Sequence, residues 1–161
     1  MTMDMPKNVD TAINLLQSAG FEAYAVGGCV RDSLLGKTPN DWDITTSAKP
    51  EDMKSVFADF HCIDTGIKHG TVTVVIDGEP LEITTFRLDG EYEDNRHPKS
   101  VTFTSDLGAD LGRRDFTVNA MAYSKMTGTV DLFGGPNDLT NTILRCVCDP
   151  DTRFNEDALR I

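Results

Sequence analysis

The chain has 161 residues, which suits one domain whose core needs neither disulfides nor a structural metal, and no second domain is expected. Its formal charge of −11, from 26 acidic and 15 basic residues, argues against a free-standing nucleic-acid binder, which carries a basic face. Cys29, Cys62, Cys146 and Cys148 lack metal-ligand spacing and are expected as free thiols in a reducing cytoplasm. No basic-then-apolar leader opens the chain and no window approaches about 18 consecutive apolar residues, so neither secretion nor membrane insertion is expected.

Between Pro6 and Gly20 the apolar residues Val9, Ala12, Ile13, Leu15, Leu16 and Ala19 recur at helical spacing and predict a first helix. Phe21 to Val26 reads as a strand that runs into Gly27-Gly28, and Val30 to Leu35 as a short helix. A glycine turn in front of a helix lets the backbone approach a phosphate. The next strand carries Asp41 and Asp43. Side chains at i and i+2 share a strand face, so these two carboxylates can grip one hard cation while Trp42 and Ile44 pack inward. Magnesium suits such a pair, because it takes few protein carboxylates and fills its octahedron with water and phosphate oxygens. A bare Asp-x-Asp is more often a solvated turn; the glycine pair upstream shifts the balance toward a nucleotide and metal site.

Thr45, Thr46 and Ser47 offer caps for a helix from Pro50 to Phe57. Thr71 to Ile76, the turn Asp77-Gly78 and Leu81 to Phe86 predict a hairpin, with Glu82 on its second strand either facing solvent or adding a third carboxylate to the aspartate pair. Residues 89 to 100 hold many charges and almost nothing to bury, which predicts a mobile loop, either a plain connection or a lid. A helix is expected from Asp106 to Leu111. The following Arg113-Arg114-Asp115 is either a solvated ion cluster or an arginine grip for phosphate. Met121 to Tyr123, Thr129 to Leu132 and Ile143 to Val147 read as strands, with a short helix near Leu139, and Arg153 to Ile161 as the start of a helix.

Five segments, Gly27-Gly28-x-Val30-Arg31-Asp32, Asp41-x-Asp43, Arg113-Arg114-Asp115-Phe116-Thr117-x-Asn119, Phe133-Gly134-Gly135 and Arg153-Phe154-x-Glu156-Asp157-x-x-Arg160, occur in an order that resembles the catalytic head of class II template-independent nucleotidyltransferases. These are the bacterial-type tRNA nucleotidyltransferases (CCA-adding enzymes) and their poly(A) polymerase relatives. The resemblance implies a polymerase-β-like α/β (α+β) fold, a small mixed sheet flanked by helices, with residues 1–150 as the head and 151–161 as the start of a neck helix. It implies that Asp41 and Asp43 are the catalytic ligands of magnesium. Gly28 and Arg31 would meet the triphosphate, Arg114 and Asp115 would lie near the sugar and phosphates, and Asp157 and Arg160 would read the base. CTP, ATP and the tRNA 3′ end are the implied partners, with tRNA held mainly by domains beyond Ile161.

Positions i and i+3 share a helix face, so Asp157 can accept from an amino group while Arg160 donates to a ring acceptor. Cytosine and adenine match that pair; uracil and guanine oppose it. Gly66-Ile-Lys-His-Gly70 is similar to CCA-adding enzymes rather than poly(A) polymerases, and the intact stretch from 87 to 112 is similar to enzymes that add the terminal A. Leu132 departs from the proline that often precedes Phe-Gly-Gly in relatives. Full CCA addition is therefore the first expectation. Poly(A) or A-only addition is the alternative enzyme, and a non-catalytic nucleotide-binding module is a third reading that intact Asp41 and Asp43 speak against.

Overall fold

The computed structural model describes residues 2–64, 66–89 and 101–147. The expectations placed on residues 90–100 and 148–161, Asp157 and Arg160 among them, lie outside the described residues. In chain order the elements are α1 (Lys7–Ser18), β1 (Ala23–Val26), α2 (Gly28–Leu34), β2 (Asp43–Thr46), α3 (Pro50–Val56), β3 (His61–Ile63), β4 (Thr71–Ile76), β5 (Glu79–Thr85), β6 (Arg87–Asp89), β7 (Val101–Phe103), α4 (Leu107–Gly112), β8 (Met121–Ser124), β9 (Gly128–Asp131) and α5 (Gly135–Thr140). Single 3-10 turns lie at Ile67–His69 and Thr117–Asn119.

Seven strands form one sheet in the order β3-β4-β5-β2-β1-β8-β9, while β6 and β7 pair separately. Every pairing is antiparallel except β2 with β5, so the sheet is mixed, as expected. β1 is buried on both faces. Its Ala23 and Ala25 join the larger core under α1 and α3, with Ile13, Leu16, Ile44, Met53, Phe57 and Ile83; its Tyr24 and Val26 join a smaller core under α4, with Phe86, Leu107 and Leu111. The hydrophobic stripe of α1 thus does what its spacing predicts, burying Val9, Ala12, Ile13 and Leu16.

Two expectations are corrected. Thr45 and Thr46 are not helix caps but buried residues of β2; α3 starts after Lys49, whose N–H donates to the Asp52 carboxylate at 3.1 Å. Ile143 to Val147 forms no strand. Among the described residues its one bridge joins Cys146 to Phe116, and since Phe116 leads straight into the 3-10 turn at Thr117–Asn119, no ladder grows on that side. The hairpin, by contrast, closes at Asp77 and Gly78 as read, with Ile76 paired to Glu79.

α5 fixes that 3-10 turn. Asp138, 3 % exposed, accepts from the Thr117 hydroxyl at 2.7 Å and from Arg145 Nε at 3.1 Å, and Gly135 lies so close to the turn that a Cβ there would stand 2.5 Å from the Thr117 carbonyl oxygen. Backbone cannot yield as a side chain can. Gly135→Ala should therefore destabilise the chain by about 1–3 kcal/mol through overpacking. The check is a thermal or urea melt, with displacement of the Thr117 carbonyl seen in the same variant as faster exchange of the Ala120 amide that donates to it.

Candidate active site

The candidate residues meet where three strands end. Antiparallel pairing sets Val26 of β1 opposite Asp43 of β2 and, on its other side, opposite Ala122 of β8. The residue after Val26 is Gly27, whose N–H donates to the Met121 carbonyl at 3.2 Å and whose φ of +83° lets the chain turn at once into α2. Asp43, the glycine turn and the segment preceding β8 are brought together by this register alone. Asp41 lies just before β2, and Trp42 and Ile44 are buried while Asp41 and Asp43 are exposed, as the alternation predicts.

Asp43 borders two cavities. The first, of about 310 Å³, is lined by Gly27, Gly28, Arg31, Asp43, Arg114 and Asn119, together with Arg113 and Asp115. The structure thus gathers Gly28, Arg31, Arg114 and Asp115 with Asp43. Arg31 is held across its mouth: Nη1 donates to Asn119 Oδ1 at 2.7 Å and Nε pairs with Asp32 at 3.0 Å. Asp115 accepts from the Phe116 N–H at 2.7 Å and from Asn119 Nδ2 at 3.4 Å, so Asn119 ties the two together. The second cavity, of about 660 Å³, lies on the other side of Asp43 and is lined by Asn8, Asn40, Asp41, Thr73 and Glu82 among others. Glu82 is the in-register neighbour of Asp43 on parallel β5, so it stands beside the aspartates, but it is exposed and completes no three-carboxylate metal group with them among the described residues.

The charges are set against one another. Although Asp43 reaches the surface, its partial desolvation between the two cavities first, then the neighbouring carboxylates of Glu82 and Asp41, push its carboxyl above its ordinary value, while Arg114 pulls it down. Arg114 is driven below its ordinary value by burial and by Arg113 beside it, and is drawn back by Asp110 and Asp43. A divalent cation fits this donor set, because exposed carboxylate oxygens are hard ligands and their mutual repulsion disfavours the cation-free state. No group of three or more His, Cys, Asp or Glu among the described residues could hold a metal by itself, so Asp41 and Asp43 are the two carboxylates the site offers. Cys29 is buried, and burial pushes its thiol up to about 11, so it stays protonated near neutral pH. Cys29, Cys62 and Cys146 are free thiols, as expected, and no described helix is long and apolar enough to cross a membrane.

Two residues escaped the sequence reading. Asn119 stands there only as part of a motif, and its contact with Arg31 spans 88 positions. Asp110, fully buried, accepts from Thr45 Oγ1, the Arg87 N–H and Arg114 Nη2 at 3.1, 3.0 and 3.4 Å, and pairs with Arg113 Nε at 3.5 Å. Its spacing of three and four residues from the two arginines on a predicted helix was the available signal.

The sequence profile of the poly A polymerase head domain matches residues 23–145. A CCA-adding enzyme of Lactobacillus helveticus is 56% identical over 149 residues, covering 92% of this chain and 37% of that protein. One from Lactobacillus delbrueckii subsp. bulgaricus is 53% identical over 146 residues, covering 91% and 36%. Among solved structures, the Bacillus stearothermophilus CCA-adding enzyme in complex with CTP superimposes with a TM-score of 0.85 at 45% identity, over 97% of this chain and 38% of that one. The chain thus spans little more than a third of the length of the relatives it matches.

The raised Asp43 pKa has a stability consequence of definite sign. The folded chain holds that proton more tightly than the unfolded chain, so stability is lost as pH rises from 3.8 through the raised value, and the cost is complete above it. Asp43→Asn should therefore melt at a higher temperature than the parent at pH 7. That advantage should vanish as pH falls below 3.8, the unshifted value; an equal gain at both ends of a pH series of melts would remove the electrostatic explanation.

Proposed function

Because the chain belongs to the poly A polymerase head-domain family, and with it has the nucleotidyltransferase fold, we propose that it is the catalytic head of a cytoplasmic tRNA nucleotidyltransferase that adds CCA to tRNA 3′ ends from CTP and ATP. The observation that carries this reading is the place of Asp43 on the border of two cavities. Nucleotidyl transfer is an in-line displacement, with the attacking oxygen and the leaving pyrophosphate on opposite sides of the reacting phosphorus. A carboxylate with a cavity on each side serves such a reaction. The arginine-walled cavity suits the polyphosphate, since planar guanidinium groups match phosphate oxygens, and the larger one suits the terminal nucleoside of the acceptor.

Asp41 and Asp43 would hold magnesium, which when bound supplies a Lewis acid that makes the 3′-hydroxyl a better nucleophile and offsets charge on the leaving group. Gly28 and Arg31 bind the triphosphate, Arg114 the phosphates, and Asp115 the sugar, steadied by Asn119. Asp157 and Arg160 choose the base by accepting from its amino group and donating to its ring nitrogen. Residues 1–150 form the head and 151–161 begin the neck, with tRNA held mainly by domains beyond Ile161 in a complete protein. The names of the curated relatives and of the matching structure support CCA addition. The name of the matching profile favours one other reading, addition of A alone.

The test grafts this chain in place of the matching segment of the Lactobacillus helveticus enzyme and follows extension of a tRNA that ends at its discriminator base. Two C residues and then one A are expected with CTP and ATP present; runs of A from ATP alone would establish the other reading. Asp43→Ala should lower the rate by about 10²–10⁴-fold, several kcal/mol of charge stabilisation, and near-parental extension by that variant would mean the site is elsewhere. In the same assay Asp157→Ala and Arg160→Ala should accept UTP and GTP more readily relative to CTP and ATP. Unchanged preference in both would remove them from base selection.

A further inference from the structure

Beneath the arginine wall lies a carboxylate that touches none of the cavity itself. Asp110 is 0 % exposed, and its two oxygens gather three separate parts of the fold: the Thr45 hydroxyl of β2, the backbone N–H of Arg87 at the start of β6, and Arg114 with Arg113 just past α4. A buried carboxylate that served packing alone would be satisfied by the first two donors. This one also takes up Arg114, whose side chain keeps only 21% exposure and whose Nε is buried with no hydrogen-bond partner. Arg114 Nη1 stands near Gly27 across the cavity, 3.8 Å from where a Cβ on that glycine would be. Thr45 and Asp43 lie two residues apart on β2 and so share a face, which puts Asp110 behind the same wall that Asp43 borders.

Arginine has a long, rotatable stem, and an unrestrained guanidinium must lose that freedom when an anion arrives. A counter-charge fixed behind it removes that loss beforehand. We propose that Asp110 is a positioning residue for nucleotide binding: its buried carboxylate holds the Arg114 guanidinium, with Arg113 beside it, in the orientation that receives the polyphosphate. This rests on the nucleotide reading above. Asp110 meets no substrate atom, and its effect on affinity runs chiefly through Arg114, the arginine it hydrogen-bonds.

That routing makes the effect separable from stability. The 161-residue chain is titrated with magnesium ATP and with inorganic triphosphate, as the parent, Asp110→Asn, Arg114→Ala and the double variant, each with a thermal melt. Asparagine keeps the shape and an acceptor for Thr45 or the Arg87 N–H but removes the charge. Asp110→Asn should weaken triphosphate binding by about ten- to a hundredfold, the range for a hydrogen bond to a charged group. In the Arg114→Ala background the same change should weaken it less than twofold. Thr45→Val, which removes a different donor from Asp110 and leaves the arginines alone, should lower the melting temperature without changing affinity. Equal losses from Asp110→Asn in both backgrounds, or a Thr45→Val loss of affinity as large as that of Asp110→Asn, would overturn the proposal. A ligand-free readout stands beside these: the Nε–Hε resonance of Arg114 should be sharp and slow to exchange in the parent and broadened in Asp110→Asn. An unchanged Arg114 resonance overturns the positioning role even if nucleotide binds. A parent that binds neither ligand, with the resonance changed as expected, overturns the nucleotide reading and the binding half of this proposal while leaving the restraint on Arg114 standing.

Discussion

The site depends on one register, the setting of Val26 between Asp43 and Ala122. Strand side chains alternate with a period of two, so a slip of one residue would carry Asp43 to the face now filled by Ile44 and bring Ile44 out in its place. The slip is opposed from both sides of β1. Ala23 and Ala25 are small enough to let α1 settle on one face, while Tyr24 and Val26 pack against Phe86 and Leu111 on the other. Because β1 is buried on both faces, hydrophobic packing determines where a glycine turn, a carboxylate and an arginine pair come to lie.

Around that register the chain keeps its charge unevenly. The net charge is −11, yet three arginines, Arg31, Arg113 and Arg114, line a single small cavity. Like charges so close are held only because acidic groups stand behind them: Asp32 at Arg31, and Asp110 beneath the other two. On the opposite wall the reverse holds, where Asp43 is raised by burial and by Glu82 and Asp41. Asp43 and Arg114 are thus each displaced from their ordinary titration by burial and by like charges beside them, so an opposite charge would relieve either one. Such a site costs the free protein stability, which is the usual relation between a binding surface and the fold that carries it.

The second buried carboxylate, Asp138, works at longer range. It holds Thr117, the 3-10 turn holds Asn119, and Asn119 holds Arg31. The Phe-Gly-Gly segment belongs to the same arrangement, since Asp131 accepts from the N–H groups of Phe133, Gly134 and Gly135 and so sets the entry to α5. A motif that looks like a turn from its composition is therefore part of the support of the arginine-lined cavity. Leu132, just before this segment, is exposed and takes no part in those hydrogen bonds.

The amino-acid sequence by itself determined the elements that depend on neighbours in the chain. The helical stripe of α1, the alternation that exposes Asp41 and Asp43 while burying Trp42 and Ile44, and the Asp77-Gly78 hairpin were all legible, because local periodicity directly reflects which side meets the core. The five motifs in order were legible too, and the family follows from them. What only the tertiary structure decided were contacts between distant positions: Thr45 with Asp110 across 65 residues, Arg31 with Asn119 across 88, and Glu82 beside Asp43 by parallel pairing. Ile143 to Val147 marks the same boundary from the other side. Its apolar run has strand propensity, but a ladder needs a free, extended partner, and Phe116 turns away after one bridge. Propensity is a property of a segment, whereas pairing and the burial of charge are properties of what the rest of the chain brings against it.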